Sequence, residues 1–252
     1  MASPIRHRFI CVLTIGLILL FGATAASAQQ TINVPASQPT IQAAISAANN
    51  GDTVLVAPGT YVENINFGGR AVTVTSSGGP SVTIIDGGHH GSVVTFSNGE
   101  QATSVLNGFT VRNGFQDGLF GGGIYISNAS PTITGNIITG NHAAQGCGIH
   151  VDGGSPLIQN NTITANDQTG AGSGAGGGGI DVVASDSNPS HAQIVGNIIT
   201  SNSVAGGGSG GGISVGYFSS PTIQGNRIQG NVAYGNGGGV ALWRCGLTTH
   251  PS

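Results

Sequence analysis

From residue 121 onward the chain repeats itself, and the repeat limits what it can become. Gly-rich strand starts (GGGIYIS at 121, GCGIHVD at 146, GGGIDVV at 177, GGISVGY at 211, GGGVALW at 237) alternate with a second module, I-x-x-N-x-I-x-x-N. That module reads ITGNIITGN from Ile133, IQNNTITAN from Ile158, IVGNIITSN from Ile194 and IQGNRIQGN from Ile223. Its internal spacing is fixed; length varies only between modules, in HAAQ, DQTGAGSGAG, SVAGGGS, VAYGN and the longer ASDSNPSH. Measured at Ile124, Ile149, Ile180, Ile213 and Val240, successive units span 25, 31, 33 and 27 residues. A unit this short, made of three brief strands, cannot bury its apolar residues alone, whereas stacked units can. Each strand then pairs with its counterpart one unit before and after, and inward residues stack in columns. The predicted fold is all-β: a right-handed single-stranded parallel β-helix of about eight rungs, its hand following from the bias of parallel crossovers.

Composition agrees with a solenoid. Glycine accounts for 46 of 252 residues, more than twice the ~7 per cent of ordinary proteins. Charged residues make up 6% and hydrophobic residues 38%, which excludes a charge-rich disordered chain. So much Gly also argues against a helical bundle. The Asn residues of the second module fall into two columns, Asn136, Asn161, Asn197, Asn226 and Asn141, Asn166, Asn202, Asn231. Asn tolerates left-handed backbone and hydrogen-bonds turn backbone through its side chain, so these columns are read as structural ladders.

Residues 1–28 read as a secretory signal peptide: Arg6, His7 and Arg8, then FICVLTIGLILLFG, then the small residues Ala26, Ser27 and Ala28. The expected location is therefore outside the cytoplasm, whether extracellular, periplasmic or on the cell surface, with no membrane span once the signal is removed. The remaining basic side chains are Arg70, Arg112, Arg227 and Arg244, with no Lys, against nine acids. A nucleic-acid partner is not expected from such a balance. Of the Cys residues, Cys11 leaves with the signal, and Cys147 and Cys245 lie three rungs apart in the repeat alignment. That is about 14 Å at the usual strand spacing, so two free thiols are expected.

Residues 29–66 are assigned to an N-terminal cap: TINVP as a strand, PTIQAAISAANNGD as a short helix with Ile41, Ala44, Ile45 and Ala48 on one face, and TVLVAPGTYVENINF as a strand pair around a turn. A helix there would close the open end of the apolar core. Rungs occupy 67–245, the first from AVTVTSS, SVTIIDGG, SVVTFSN and SVLNGFTVRNG. The sequence ends in RCGLTTHPS without a matching Asn module, so 246–252 is read as irregular and the product as truncated or frameshifted.

These repeats resemble the parallel β-helix repeat of the pectin-lyase-like superfamily. The alternation of GGxI with a short segment ending in Asn also resembles polymorphic outer-membrane proteins and related bacterial surface β-helix proteins, over 121–245. The N-terminal arrangement, with GTYVE at 59–63, is similar to the cap of pectinesterases. The same coil serves lyases, hydrolases, esterases and inert surface fibres, so activity must be argued from a site. The pectinesterase segments fail: QDGL at 116–119 is a faint echo of the Gln-Asp segment, and the Asp-Phe and Gly-Arg-Pro-Trp segments are missing. The Arg-x-Pro-x-x-Arg pattern of pectate lyases is missing too, and GGHHG at 87–91 only approaches the Gly-His-Gly of polygalacturonases. His89 and His90 are read as exposed turn residues.

One candidate site follows from alternation alone. If Ile124, Ile149, Ile180, Ile213 and Val240 point inward, the next residue of each strand, Tyr125, His150, Asp181, Ser214 and Ala241, points outward. Asp152 then shares a strand face with His150. His150, Asp152 and Asp181 are the candidate catalytic residues, a general acid and base for work on a sugar. Asp152 and Asp181 are also the donors a calcium ion would use, no other cofactor motif being present. Tyr125, Arg112 and Asp117 are candidate substrate-binding residues extending a groove. The leading expectation is a non-catalytic secreted or cell-surface solenoid binding a polysaccharide or cell-surface glycan. Its rivals are a polysaccharide lyase or glycoside hydrolase, and the passenger fragment of an outer-membrane adhesin.

Overall fold

The computed structural model describes residues 28–168 and 176–243; the expected signal peptide, Cys245, Arg244 and the C-terminal residues lie outside them. The strands fall into three long parallel sheets. The first has eight strands, from Thr31–Val34 and Thr53–Val56 through Thr132–Thr134 to Thr222–Gln224. The second has seven, from Gly59–Val62 to Arg227–Gln229, and the third has seven, from Ile65–Asn66 to Val240–Leu242. Chain order visits first, second and third sheet in turn, so each circuit is one rung of a parallel β-helix.

Register is set by the apolar columns. Ile124 pairs with Ile149, Ile149 with Ile180, Ile180 with Ile213 and Ile213 with Val240. On the first sheet Val54, Val74, Leu106, Ile133, Ile158, Ile194 and Ile223 align in the same way. All but the last are fully buried. A slip of one residue would turn each column out to solvent, which is why so short a strand keeps its register.

Two of the repeated glycines fix the corner leading into the third sheet. The first of each motif takes the left-handed conformation, as Gly146 does at φ 59° and Gly177 at φ 70°. The one directly before the inward Ile is held by its neighbour: a Cβ on Gly148 would lie 2.5 Å from the carbonyl oxygen of Gly179. The same contact recurs between Gly123 and Gly148, and between Gly179 and Gly212.

The Asn columns bind rung to rung. Asn136 Nδ2 donates to Asn161 Oδ1 at 3.2 Å, Asn161 to Asn197 at 3.1 Å and Asn197 to Asn226 at 2.9 Å. Asn141, Asn166, Asn202 and Asn231 form a second series with each step at 2.9 Å. Each Oδ1 also accepts a backbone N–H of the rung before, from Phe109 at Asn136, from Gly114 at Asn141 and from the preceding Asn in the later rungs, and each amide reaches a backbone carbonyl of that rung, as Asn161 does to Ile133. The left-handed residue is not the Asn but the one before it: Gly135, Gly140, Asn160, Ala165, Gly196, Ser201, Gly225 and Gly230 all have positive φ. The columns are therefore selected for side-chain hydrogen bonding inside the coil.

At the N-terminal end, helix Ile41–Ala47 buries Ile41, Ala44 and Ile45 over the core. Thr40 caps it by accepting from the Ala43 N–H, and the Glu63 carboxylate accepts from the N–H groups of Ile41 and Gln42. The segment 53–66 forms strands on either side of a turn at Ala57 and Pro58, and these strands do not pair with each other. Its pieces Thr53–Val56, Gly59–Val62 and Ile65–Asn66 each join a different sheet, with Ala57 and Pro58 turning a corner of the coil.

Two substitutions test these corners by thermal unfolding. Gly148→Ala is expected to be severe, since backbone meets the new methyl and overpacking costs ~1–3 kcal/mol or more. Gly140→Ala, where nothing stands within 4 Å, should lose only the ~1–2 kcal/mol of a left-handed backbone. Asn161→Ala removes four hydrogen bonds inside the ladder, a loss of about 3 kcal/mol.

Candidate functional site

The outward column of the third sheet has the expected membership. Tyr125, His150, Asp181, Ser214 and Ala241 are register partners on successive strands, and Ser127, Asp152 and Val183 form the next outward column. Pointing outward does not leave all of these residues in solvent. His150 is 2% exposed and Asp181 0%, because other parts of each rung lie over them. Strands Phe115–Phe120 and His142–Gln145 pair in an extra strip at the corner before the third sheet. From it the Phe120 ring stacks on His150, centroids 4.8 Å apart and 15° from parallel. Tyr125 flanks the same imidazole at 5.9 Å. The glycine turns complete the cover: a Cβ on Gly146 would stand 2.7 Å from His150 Cβ, and one on Gly177 2.6 Å from Asp181 Cβ.

Beneath that cover His150 Nδ1 and Asp181 Oδ2 approach to 3.2 Å. The contact is an ion-pair approach without hydrogen-bond alignment, and both Asp181 oxygens and His150 Nδ1 are buried without a hydrogen-bond partner. A second pair, absent from the sequence reading, lies at the corner: His142 Nδ1 and Asp167 Oδ1 are 2.5 Å apart and partly exposed. Asp167 pairs by register with His142. The signal was available, since each directly follows a ladder residue, Asn141 or Asn166.

Cys147 sits buried near both pairs, its thiol contacting the Ala143 carbonyl at 3.4 Å. Burial pushes its pKa up to about 12, and the charges of Asp167 and Asp181 add to the rise. It is a free cysteine.

The other candidates are scattered. Arg112 belongs to the second sheet and does not extend a groove on the third: its Nε donates to Asp86 Oδ2 at 2.8 Å. Burial raises the Asp86 carboxyl, but hydrogen bonds from Gly88 N–H, Asn113 and Arg112 outweigh it and hold the pKa below the usual range. Asp117 is exposed on the corner strip, and Asp152 is half-buried opposite Val183 rather than a second carboxylate. Among the described residues no three His, Cys, Asp or Glu side chains gather as a metal would require. A concavity lined by Gln29, Asn50, Gly51, Ala71, Thr73, Thr103 and Val105 lies on the first sheet and holds no titratable side chain.

Two outcomes follow. Cys147 should resist alkylation in the folded protein at pH 8 and react fully once denaturant is added, followed by mass spectrometry. Because the folded Asp86 pKa is lowered, its stabilising contribution is complete above the unfolded value near 3.9 and is lost as pH falls through the lower folded value. Melting temperature should therefore drop on acidification below about pH 4, less steeply in Asp86→Asn.

Residues 43–248 match the family model described as right handed beta helix region. Among solved structures, pectin methylesterase from carrot is similar to the chain at 13% identity, covering 87% of this chain and 89% of that one, with a TM-score of 0.37. No curated protein matches the chain in sequence. The columns in register, the three parallel sheets and the family match place the chain in the right-handed β-helix family.

Proposed function

We propose that this protein is an exported, non-catalytic solenoid that binds polysaccharide on the outer face of its third sheet. One observation carries the reading. The His–Asp couple that chemistry on a sugar would need, His150 and Asp181, is sealed beneath Phe120 and the glycine turns, while Tyr125 and Asp152 beside it keep contact with solvent. A general acid must come within hydrogen-bond reach of the atom it protonates, and a buried couple does not. Aromatic rings and half-exposed carboxylates are well suited to holding a sugar chain. Export is supported by the basic, apolar and small-residue pattern of residues 1–28.

The enzyme reading keeps one observation in its favour: a buried His and Asp held close with side-chain polar atoms that lack hydrogen-bond partners, which are rare in folded proteins and call for an explanation. Incubation of the folded mature chain with a panel of polysaccharides separates the two. Retention without release of new chain ends is the expected result; release that vanishes in Asp181→Asn would establish the enzyme reading instead. Expression in a secreting host should yield a product whose N-terminal residue is Gln29.

A further inference from the structure

The binding reading leaves open which kind of chain the face accepts, and the inference here rests on that reading. The outer floor of the third sheet runs from Tyr125 across the rungs of Asp152 and Val183 to Trp243. The Trp243 ring lies over Gly216, 3.2 Å from where a Cβ would stand, and Val183 borders the same point at 3.4 Å. Tyr125 and Gly216 are three strand spacings apart by register, or about 14 Å. Both terminal rings are held in place. Trp243 Nε1 donates to Ser214 Oγ at 2.8 Å and meets Tyr217 edge to face at 5.1 Å, while Tyr125 lies 9° from parallel with His150. On one side the floor is bordered by Phe120, and on the other by the loop 184–190, whose Asn188 amide donates to Asn128. Rings fixed before binding lose little freedom on contact, which favours affinity.

Among the described residues the charge on this floor has one sign. Asp152 is half-exposed between the rings, and Asp186 and Asp117 are exposed on the bordering segments. The arginines of the described residues lie elsewhere or are engaged: Arg70 donates to the Ala48 carbonyl, Arg112 is paired with Asp86, and Arg227 lies on the second sheet against Gln229. Carboxylates accept hydrogen bonds from sugar hydroxyls, and aromatic faces take the C–H faces of pyranose rings. A chain bearing a carboxylate on every sugar would meet like charge instead, with no cation among the described residues of this floor to bind it.

We infer that the third-sheet face between Tyr125 and Trp243 binds neutral polysaccharide and discriminates against polyuronates. Native gel electrophoresis through embedded β-glucan, mannan or polygalacturonate tests it, at low ionic strength so that repulsion is not screened, on the mature chain with β-sheet circular dichroism verified. Expected are retardation by at least one neutral glycan, none by polygalacturonate, and at least a tenfold loss of neutral retention in Tyr125→Ala/Trp243→Ala. Asp152→Lys should gain retention on polygalacturonate, a gain no folding defect can produce. Polygalacturonate retained as strongly as the neutral glycans would overturn the ligand class while leaving the binding reading standing. Neutral retention unchanged in the double variant would overturn the location. Retention by neither class would sink the binding reading and this inference together.

Discussion

The rest of the molecule depends on backbone packed against backbone where each rung turns into the third sheet. Gly123, Gly148, Gly179 and Gly212 stand so near the carbonyl one rung on that no side chain fits between. That approach lets the strands of the third sheet pair over only three or four residues and still keep register. It also brings each ladder amide within reach of the next: a Cβ on Gly148 or Gly179 would stand 3.1 Å from the amide nitrogen of Asn166 or Asn202. Isolated strands of this length have no independent stability. Cohesion is therefore a nearest-neighbour property, each rung held by the ones before and after.

The parts legible in sequence are those in which one residue does one job at a fixed interval. The inward Ile columns, the Asn columns and the capping helix are of this kind, because burial and hydrogen bonding recur once per rung. The burial of His150 and Asp181 was not legible. Alternation gives the direction of a side chain, but what lies over it depends on Phe120, in a corner strip that lies outside the two repeated modules. The Arg112–Asp86 pair was missed for a related reason: Asp86 belongs to an irregular early rung where no repeat announces which strand lies beside which. Which strands lie beside which in segment 53–66 was not legible, because a turn between two apolar runs reads alike whether the strands pair with each other or turn a corner.

The low charge of the chain shapes the electrostatics. Among the few ionic groups three pairs stand out: Asp86 with Arg112, His142 with Asp167, His150 with Asp181. In the last, both members are withdrawn from water, so a charge on either would carry a desolvation penalty. Near it, Cys147 behaves as a small hydrophobe, its thiol kept protonated by burial and by the neighbouring carboxylates.

Length variation among the units is concentrated at two corners, the one entering the third sheet and the one leaving it, while the spacing between the two Asn columns never changes. The molecule thus separates inheritance of form from freedom of surface. A new loop at either corner can lengthen, acquire rings or acids, or vanish, and the ladders and apolar columns do not register the change. The face between those corners is the part of this coil able to diverge quickly, as the hypervariable end of an otherwise conserved framework does.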